Sequence, residues 1–396
     1  SDFERLNCSS RAEDAALCTA TLDADCQSDG TCGYSIRYLD NSSSVGYLVR
    51  DTFFFDRAIA DTTLAFGCET TAENDILTSK TDGLVGFGHG VYTFHAQLAK
   101  AGAINGNTFG ICGEGFDSTL GLITLGKFDF GGSLPPLGQT PLLRNRREDL
   151  MVRTHHWKLG DEIIASSSSV GTALDSGTVF TYVPSAMYND FKQRLETAVI
   201  ASGLRRVRGH GSYSVDPDED ICFGGTRDLN VRTLSKWFPT LTIVYQPNVI
   251  LNLRPESYVY RHRTDRHAFC LGIFDGQKDN ANWAGSDWIL LGQLTLRDTF
   301  VEFDIDNYQV NMAATNCATL RKKYTKALPS GSDDFPVFVT TSLLQLLAAV
   351  GAGLLTWLLT WGMRLVIRLA RTRHRRMGWR RLEDELDTQI EMGDVT

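Results

Sequence analysis

Between Phe335 and Met363 the chain carries no Asp, Glu, Lys or Arg: FPVFVTTSLLQLLAAVGAGLLTWLLTWGM. A helix needs about 20 apolar residues to cross the hydrocarbon core of a bilayer, so this run is long enough to span with some tilt. Buried helices of soluble domains rarely run this far without a charge, and a transmembrane helix over 336–363 is predicted. Arg364, Arg368, Arg371, Arg373, Arg375, Arg376, Arg380 and Arg381 follow it; Arg321, Lys322, Lys323 and Lys326 precede it, on the same side as Asp333 and Asp334. Basic residues stay on the cytosolic side. The tail 364–396 is therefore expected in the cytosol, 321–335 is expected as a juxtamembrane stalk, and the large N-terminal part faces the lumen or the exterior. That is a single-pass type I topology, in the secretory pathway, plasma membrane or vacuole.

The part before the span is long enough to bury two lobes. Its net charge contributes to a total of −8, which argues against nucleic acid as a partner. Nine cysteines include no CxxC pair, so a zinc ribbon or thioredoxin-like site has no support. In an oxidising compartment they read as disulfides, and an odd number leaves at least one without an internal partner. There is no HExxH and no GxSxG, which removes a zincin and a serine hydrolase. His155, His156, His262 and His267 read as surface or strand residues. No metal or cofactor is expected.

With 36 glycines, the chain reads as short strands and tight turns. Tyr47–Phe55 is β-rich. Val301–Ile305 alternates and runs through the turn Asp306-Asn307 into another strand. Helical stretches are predicted from Ser185 to Val199, after Pro184, and from about Thr93 to Ala101. Asp82-Gly-Leu-Val-Gly-Phe-Gly88 echoes Trp288-Ile-Leu-Leu-Gly292, each an apolar run ending in glycine, as expected of buried strands in two lobes of one design.

The chemistry sits in Val170-Gly-Thr-Ala-Leu-Asp-Ser-Gly-Thr-Val-Phe-Thr-Tyr-Val-Pro184. An apolar strand delivers Asp175 into a turn. Gly177 lets the backbone curl beneath the carboxylate, and the Ser176 and Thr178 hydroxyls can donate to its oxygens. Asp-Ser-Gly alone is a commonplace turn. The longer stretch, with Tyr182-Val-Pro184, resembles the second active-site motif of pepsin-type aspartic proteases, most closely the plant nepenthesin-like branch. Other stretches match in order: Tyr34 to Phe53 resembles that branch's flap hairpin; Ala65-Phe-Gly-Cys68, Asp82–Gly88 and Phe109-Gly-Ile-Cys112 resemble first-lobe landmarks; Cys222, Trp237-Phe-Pro239, Cys270 and Ile289–Asp298 resemble second-lobe ones.

The resemblance covers roughly 1–317 and implies an all-β, bilobal pepsin-like fold. The remainder of the N-terminal lobe would span 1–145 and the C-terminal lobe 146–320. It also implies a monomeric endopeptidase that acts on polypeptides through two aspartates sharing a proton and one activated water, without a covalent intermediate. Asp175 maps onto the second-lobe aspartate, with Ser176 in support. Gly177, Thr178 and the flap tyrosine Tyr38 map onto substrate-binding positions. Leu39 stands where the family's flap has glycine. The family pattern pairs Cys8 with Cys32, Cys18 with Cys26, Cys112 with Cys317 and Cys222 with Cys270, leaving Cys68. The first-lobe Asp-Thr-Gly occurs nowhere in the sequence. It should precede the flap by several tens of residues, and the family partner of Cys68 lies just after it. One N-terminal truncation accounts for both, so this chain alone is expected to be inactive and its first lobe incomplete. The alternative is a catalytically inactive, membrane-tethered binding protein on the same fold. Asn7 and Asn41 begin glycosylation sequons.

Overall fold

A computed structural model describes residues 3–338 except 22, 39–40, 56–58, 75, 77–81, 114, 116–120, 145–148, 165–168, 210–219, 280–286 and 326–336. The chain divides into two compact units, Ser1–Val339 and Thr340–Thr396, and every described residue lies in the first. Strands dominate it, in four sheets.

The first sheet is built around the long strand Ser43–Phe53. Along one edge it pairs with Thr62–Glu73; along the other it pairs with Cys32–Arg37 and then with Glu4–Arg5. Ala24–Cys26 adds to Cys32–Arg37. The strand expected over Tyr47–Phe55 thus starts earlier and stops at Phe53, and Phe54 turns out to solvent.

The largest sheet runs Val249–Leu253, Leu241–Tyr245, Met151–Leu159, Gly171–Leu174, Trp288–Leu291, Thr181–Val183, Ile273–Asp275, with Glu162–Ile164 folded back on Met151–Leu159. Helix Ser185–Ala201 packs against it. Met187, Phe191, Leu195 and Val199 recur at four-residue spacing and are fully buried, the apolar stripe that makes a surface helix stable in context. It extends two residues past the expected Val199 because the stop signal is Gly203, at φ +102°. The other expected helix forms over Phe94–Lys100. Helix Ala12–Ala20 gave no sequence signal.

A six-stranded sheet joins early and late chain. Thr108–Gly113 pairs with Thr299–Asp304, whose hairpin partner Gln309–Ala314 pairs in turn with Gly138–Pro141. The Val301–Ile305 strand and its turn are found here, spanning Thr299–Asp304. One apolar cluster runs from Leu64, Leu98 and Phe109 through Trp157 and Phe191 to Phe303 and Met312, so both sequence halves share a core.

Three expectations fail or fall outside. The run 82–88 forms no strand: Leu84 and Val85 are 65% and 58% exposed. Its counterpart Trp288–Leu291 is buried because strands flank it on both sides, Gly171–Leu174 and Thr181–Val183; among the described residues no strand lies beside 82–88. The two N-terminal disulfides are Cys8–Cys26 and Cys18–Cys32, not Cys8–Cys32 and Cys18–Cys26. Helix Ala12–Ala20 buries Leu17 and Cys18 in a cluster with Cys32 and Tyr34, which brings Cys18 to Cys32. The Cys8 N–H donates to Gly30 O at 2.9 Å, which lays Cys8 along the turn beside Cys26. Cys112–Cys317 and Cys222–Cys270 form as expected, and Cys68 is free. Of the expected transmembrane helix, residues 336 and 339–363 lie outside the described part, as do 326–335 of the expected stalk and the whole tail 364–396. Val337–Phe338, at its start, forms a short strand on Gly121–Leu125 instead. Among the described residues no helix is long and apolar enough to cross a membrane.

Candidate active site

Strand Gly171–Leu174 runs parallel to Trp288–Leu291, with Leu174 opposite Leu291. The pairing continues one step further, where the Asp175 N–H donates to Leu291 O at 3.0 Å. Asp175 is therefore fixed at the end of a buried strand pair while its side chain is half-exposed. The loop then turns back on the carboxylate. Gly177 N–H donates to Asp175 Oδ1 at 2.8 Å and Thr178 Oγ1 to Oδ2 at 2.5 Å. Both oxygens are held, one by an amide and one by a hydroxyl, and hydrogen bonds to a charged group are about twice as strong as neutral ones. Ser176 is exposed and, among the described residues, makes no hydrogen bond to Asp175. Its predicted support by hydrogen bonding is therefore not seen, because its side chain points out of the turn that Gly177 and Thr178 close.

A second layer clasps the loop. Gln293 N–H donates to Thr178 O at 2.7 Å and Leu294 N–H to Val179 O at 2.9 Å. Gly292 lies against the loop backbone: a Cβ there would sit 2.0 Å from Phe180 O and 2.9 Å from Thr178 O. The Gly292 N–H reaches Thr181 Oγ1 at 3.1 Å, and Thr181 shares a buried hydroxyl contact of 2.7 Å with Thr295. Thr181 and Thr295 escaped sequence reasoning, since threonine in a strand reads only as β-propensity; the echo did point to Gly292.

Tyr38 lies on another element, just beyond strand Cys32–Arg37, at the tip of the hairpin with Ser43–Phe53. Its N–H donates to Ser42 O at 2.9 Å, and its carbonyl accepts from Asn41 N–H at 3.1 Å. At 37% exposed it is a large side chain presented to solvent. Leu39 lies outside the described residues. The structure thus brings Asp175, Gly177 and Thr178 together in one loop and sets Tyr38 on a separate hairpin.

Cys222, His262 and Cys270 cluster closely enough to suggest a metal site, with ligand atoms within 4.8 Å of one another. The sulfurs are joined as a disulfide and offer no thiolate. Both His262 ring nitrogens are also engaged: Nε2 faces Arg208 O at 3.1 Å, and Nδ1 accepts from Asp265 N–H at 3.1 Å.

A strand-end aspartate whose oxygens are held by its own Ser-Gly-Thr turn, on paired β-sheets, agrees with the comparisons to known proteins. The family model "Eukaryotic aspartyl protease" matches residues 13–315. Aspartic proteinase PCS1 of Arabidopsis thaliana is 26% identical over 346 residues, covering 80% of this chain and 72% of that protein. Aspartic proteinase 36 of the same plant is 24% identical over 309 residues, 74% of this chain and 59% of that protein. Among solved structures, soybean basic 7S globulin superposes with a TM-score of 0.58 at 19% identity, covering 80% of this chain and 85% of its own. The aspartic proteinase of Irpex lacteus gives 0.55 at 16% identity, covering 76% and 85%. The chain belongs to the eukaryotic aspartyl protease family.

Proposed function

We propose that this chain is the greater part of a membrane-tethered aspartic endopeptidase in which Asp175 is the second-lobe catalytic carboxylate. The observation that carries the reading is the Asp175 loop: both carboxylate oxygens are bonded within the turn, at 2.8 and 2.5 Å, in a chain of this family. In a dyad with a second aspartate, two close carboxylates share one proton. The ionised member takes a proton from water as it attacks the peptide carbonyl, and the protonated member donates to the carbonyl oxygen. Gly177 and Thr178 keep Asp175 aimed, and Tyr38 closes on the bound polypeptide from its hairpin. No Asp-Thr-Gly occurs in this sequence, so the second carboxylate is assigned to a segment preceding it in the full protein. In that protein, Asp175→Asn keeps the size of the side chain but removes the carboxylate. It should abolish cleavage of a peptide library while leaving the circular dichroism spectrum unchanged; wild-type cleavage by the Asn variant rejects the assignment.

The tether is the uncharged run Phe335–Met363, with the tail in the cytosol. Protease added to intact microsomes should trim only the tail beyond Met363. Loss of the large domain with a protected tail reverses the topology.

The second reading is an inactive binding protein on the same fold. It is favoured by the missing Asp-Thr-Gly and by solved neighbours that bear globulin names, among them conglutin gamma of lupine seeds at a TM-score of 0.60. The two readings separate on the upstream coding sequence: an Asp-Thr-Gly or Asp-Ser-Gly there supports the enzyme, and its absence supports the binder.

A further inference from the structure

The hairpin that carries Tyr38 is closed at its tip by two backbone bonds, Tyr38 N–H to Ser42 O and Asn41 N–H to Tyr38 O. Neither bond fixes where the tip stands relative to the rest of the sheet. Strand Thr62–Glu73 and the residue after it add four side-chain bonds close to the tip. Asn74 Nδ2 donates to Asn41 O at 2.8 Å, Ser43 Oγ to Glu73 Oε2 at 3.0 Å, Ser44 Oγ to Glu69 Oε2 at 2.6 Å, and Thr70 Oγ1 to Val45 O at 3.1 Å. Successive strand residues point to opposite faces, so Ser43 and Ser44 are gripped by carboxylates from the two sides of the sheet.

At Ser44 the chain of bonds continues inward. Tyr34 Oη lies 3.1 Å from Ser44 Oγ. Ser44 has one proton and gives it to Glu69, so the Tyr34 hydroxyl is the donor to Ser44. Two glycines make this reach possible. Gly46 lies opposite Tyr34 in the register, and a Cβ on it would fall 2.1 Å from Cys68 O and 2.9 Å from Tyr34 Cε1. A Cβ on Gly67 would fall 2.7 Å from the same ring carbon. The Tyr34 ring lies across both bare positions and spans from the first hairpin strand to the third strand of the sheet. Tyr34 and Ser44 are buried, and burial pushes the Tyr34 hydroxyl's pKa up, which keeps it a donor.

We propose that Tyr34, Ser44 and Glu69 are positioning residues: a relay of two buried hydroxyls ending on the exposed Glu69 carboxylate, which sets the pose of the Tyr38 hairpin. The proposal rests on the reading in which that hairpin closes on a bound polypeptide, but its test is independent of activity. Removing the carboxylate takes away the acceptor of the buried Ser44 hydroxyl, a penalty large enough to raise local opening about tenfold. Amide hydrogen exchange of the full chain, without substrate, reads this directly. In Glu69→Ala, the Tyr38 and Asn41 amides should exchange about tenfold faster, with Leu241–Tyr245 amides unchanged. Glu69→Gln retains an acceptor oxygen and should restore protection. Should Glu69→Ala fail to fold, Tyr34→Phe deletes only the hydroxyl and should give the same tip-confined acceleration in weaker form. Wild-type exchange at the tip, acceleration spread equally over the molecule, or no rescue by glutamine each overturns the relay. A responding tip in a full-length protein that cleaves no peptide leaves the relay standing and removes the protease reading instead.

Discussion

Asp175 shows how far a single residue can be read before its surroundings are known. Its strand-end position and the small residues after it were legible, because only a tight turn accommodates Asp-Ser-Gly-Thr behind an apolar strand. The division of labour between Ser176 and Thr178 was not legible. Both hydroxyls are within reach in sequence, and only the path of the turn selects Thr178 as the donor. Gly292 is the more exacting position. With the Phe180 carbonyl 2.0 Å from where a Cβ would sit, and on backbone rather than a side chain, an alanine has no room unless the two strands part. Overpacking of this kind typically costs about 1–3 kcal/mol, and more where backbone is the obstacle. Gly292→Ala should therefore lower the denaturant midpoint by an amount at the top of that range, and it should loosen the Asp175 loop through the lost Gln293 N–H to Thr178 O bond. A midpoint within error of wild type would mean that the loop is not packed against this backbone.

Among elements, those with their own periodicity were readable, and those completed by distant strands were not. Helix Ser185–Ala201 announces itself by a four-residue apolar spacing and a preceding proline. The segment 82–88 has the apolar content of Trp288–Leu291 but no flanking strands among the described residues, and composition carries no information about neighbours. The six-stranded sheet supplies a prediction at this scale. Glu302, on strand Thr299–Asp304, is half-buried, and desolvation raises its pKa above the ordinary carboxylate value. Asp304 pushes in the same direction, while the Asn311 amide at 2.9 Å and the Lys127 ammonium oppose it. A carboxyl whose folded pKa is raised favours folding most below its unfolded pKa, about 4.3, and that contribution is lost as pH rises through the folded value. Glu302→Gln, which cannot ionise, should gain on wild type between pH 4 and pH 7. The check is the difference in melting temperature between variant and wild type at the two pH values. An equal difference at both would show that Glu302 titrates alike in the folded and unfolded chain.

At the scale of the whole molecule, four disulfides tie the described unit together, and their pattern is a test of the fold. Cys112–Cys317 spans 205 residues and links the six-stranded sheet to the helix that follows it; by the chain-entropy account a loop of this size constrains the unfolded state by about 5 kcal/mol. Cys222–Cys270 lies within the four-stranded sheet, where the two residues stand directly opposite each other. Cys8–Cys26 and Cys18–Cys32 cross between helix, turn and hairpin rather than nesting. The reason is tertiary: the helix face that buries Leu17 also presents Cys18, and helix faces cannot be assigned to a partner from cysteine spacing alone. Parity demanded one orphan, and the structure leaves Cys68, half-exposed on strand Thr62–Glu73 opposite Tyr47. Alkylation of the denatured, unreduced chain should therefore label Cys68 alone. Digestion between the remaining cysteines should release Cys8 linked to Cys26 and Cys18 linked to Cys32. Label on Cys112 or Cys317 would break the bond joining early and late chain, and with it the shared sheet. Recovery of Cys8 linked to Cys32 would restore the nested pattern and displace helix Ala12–Ala20 from the strand it packs against.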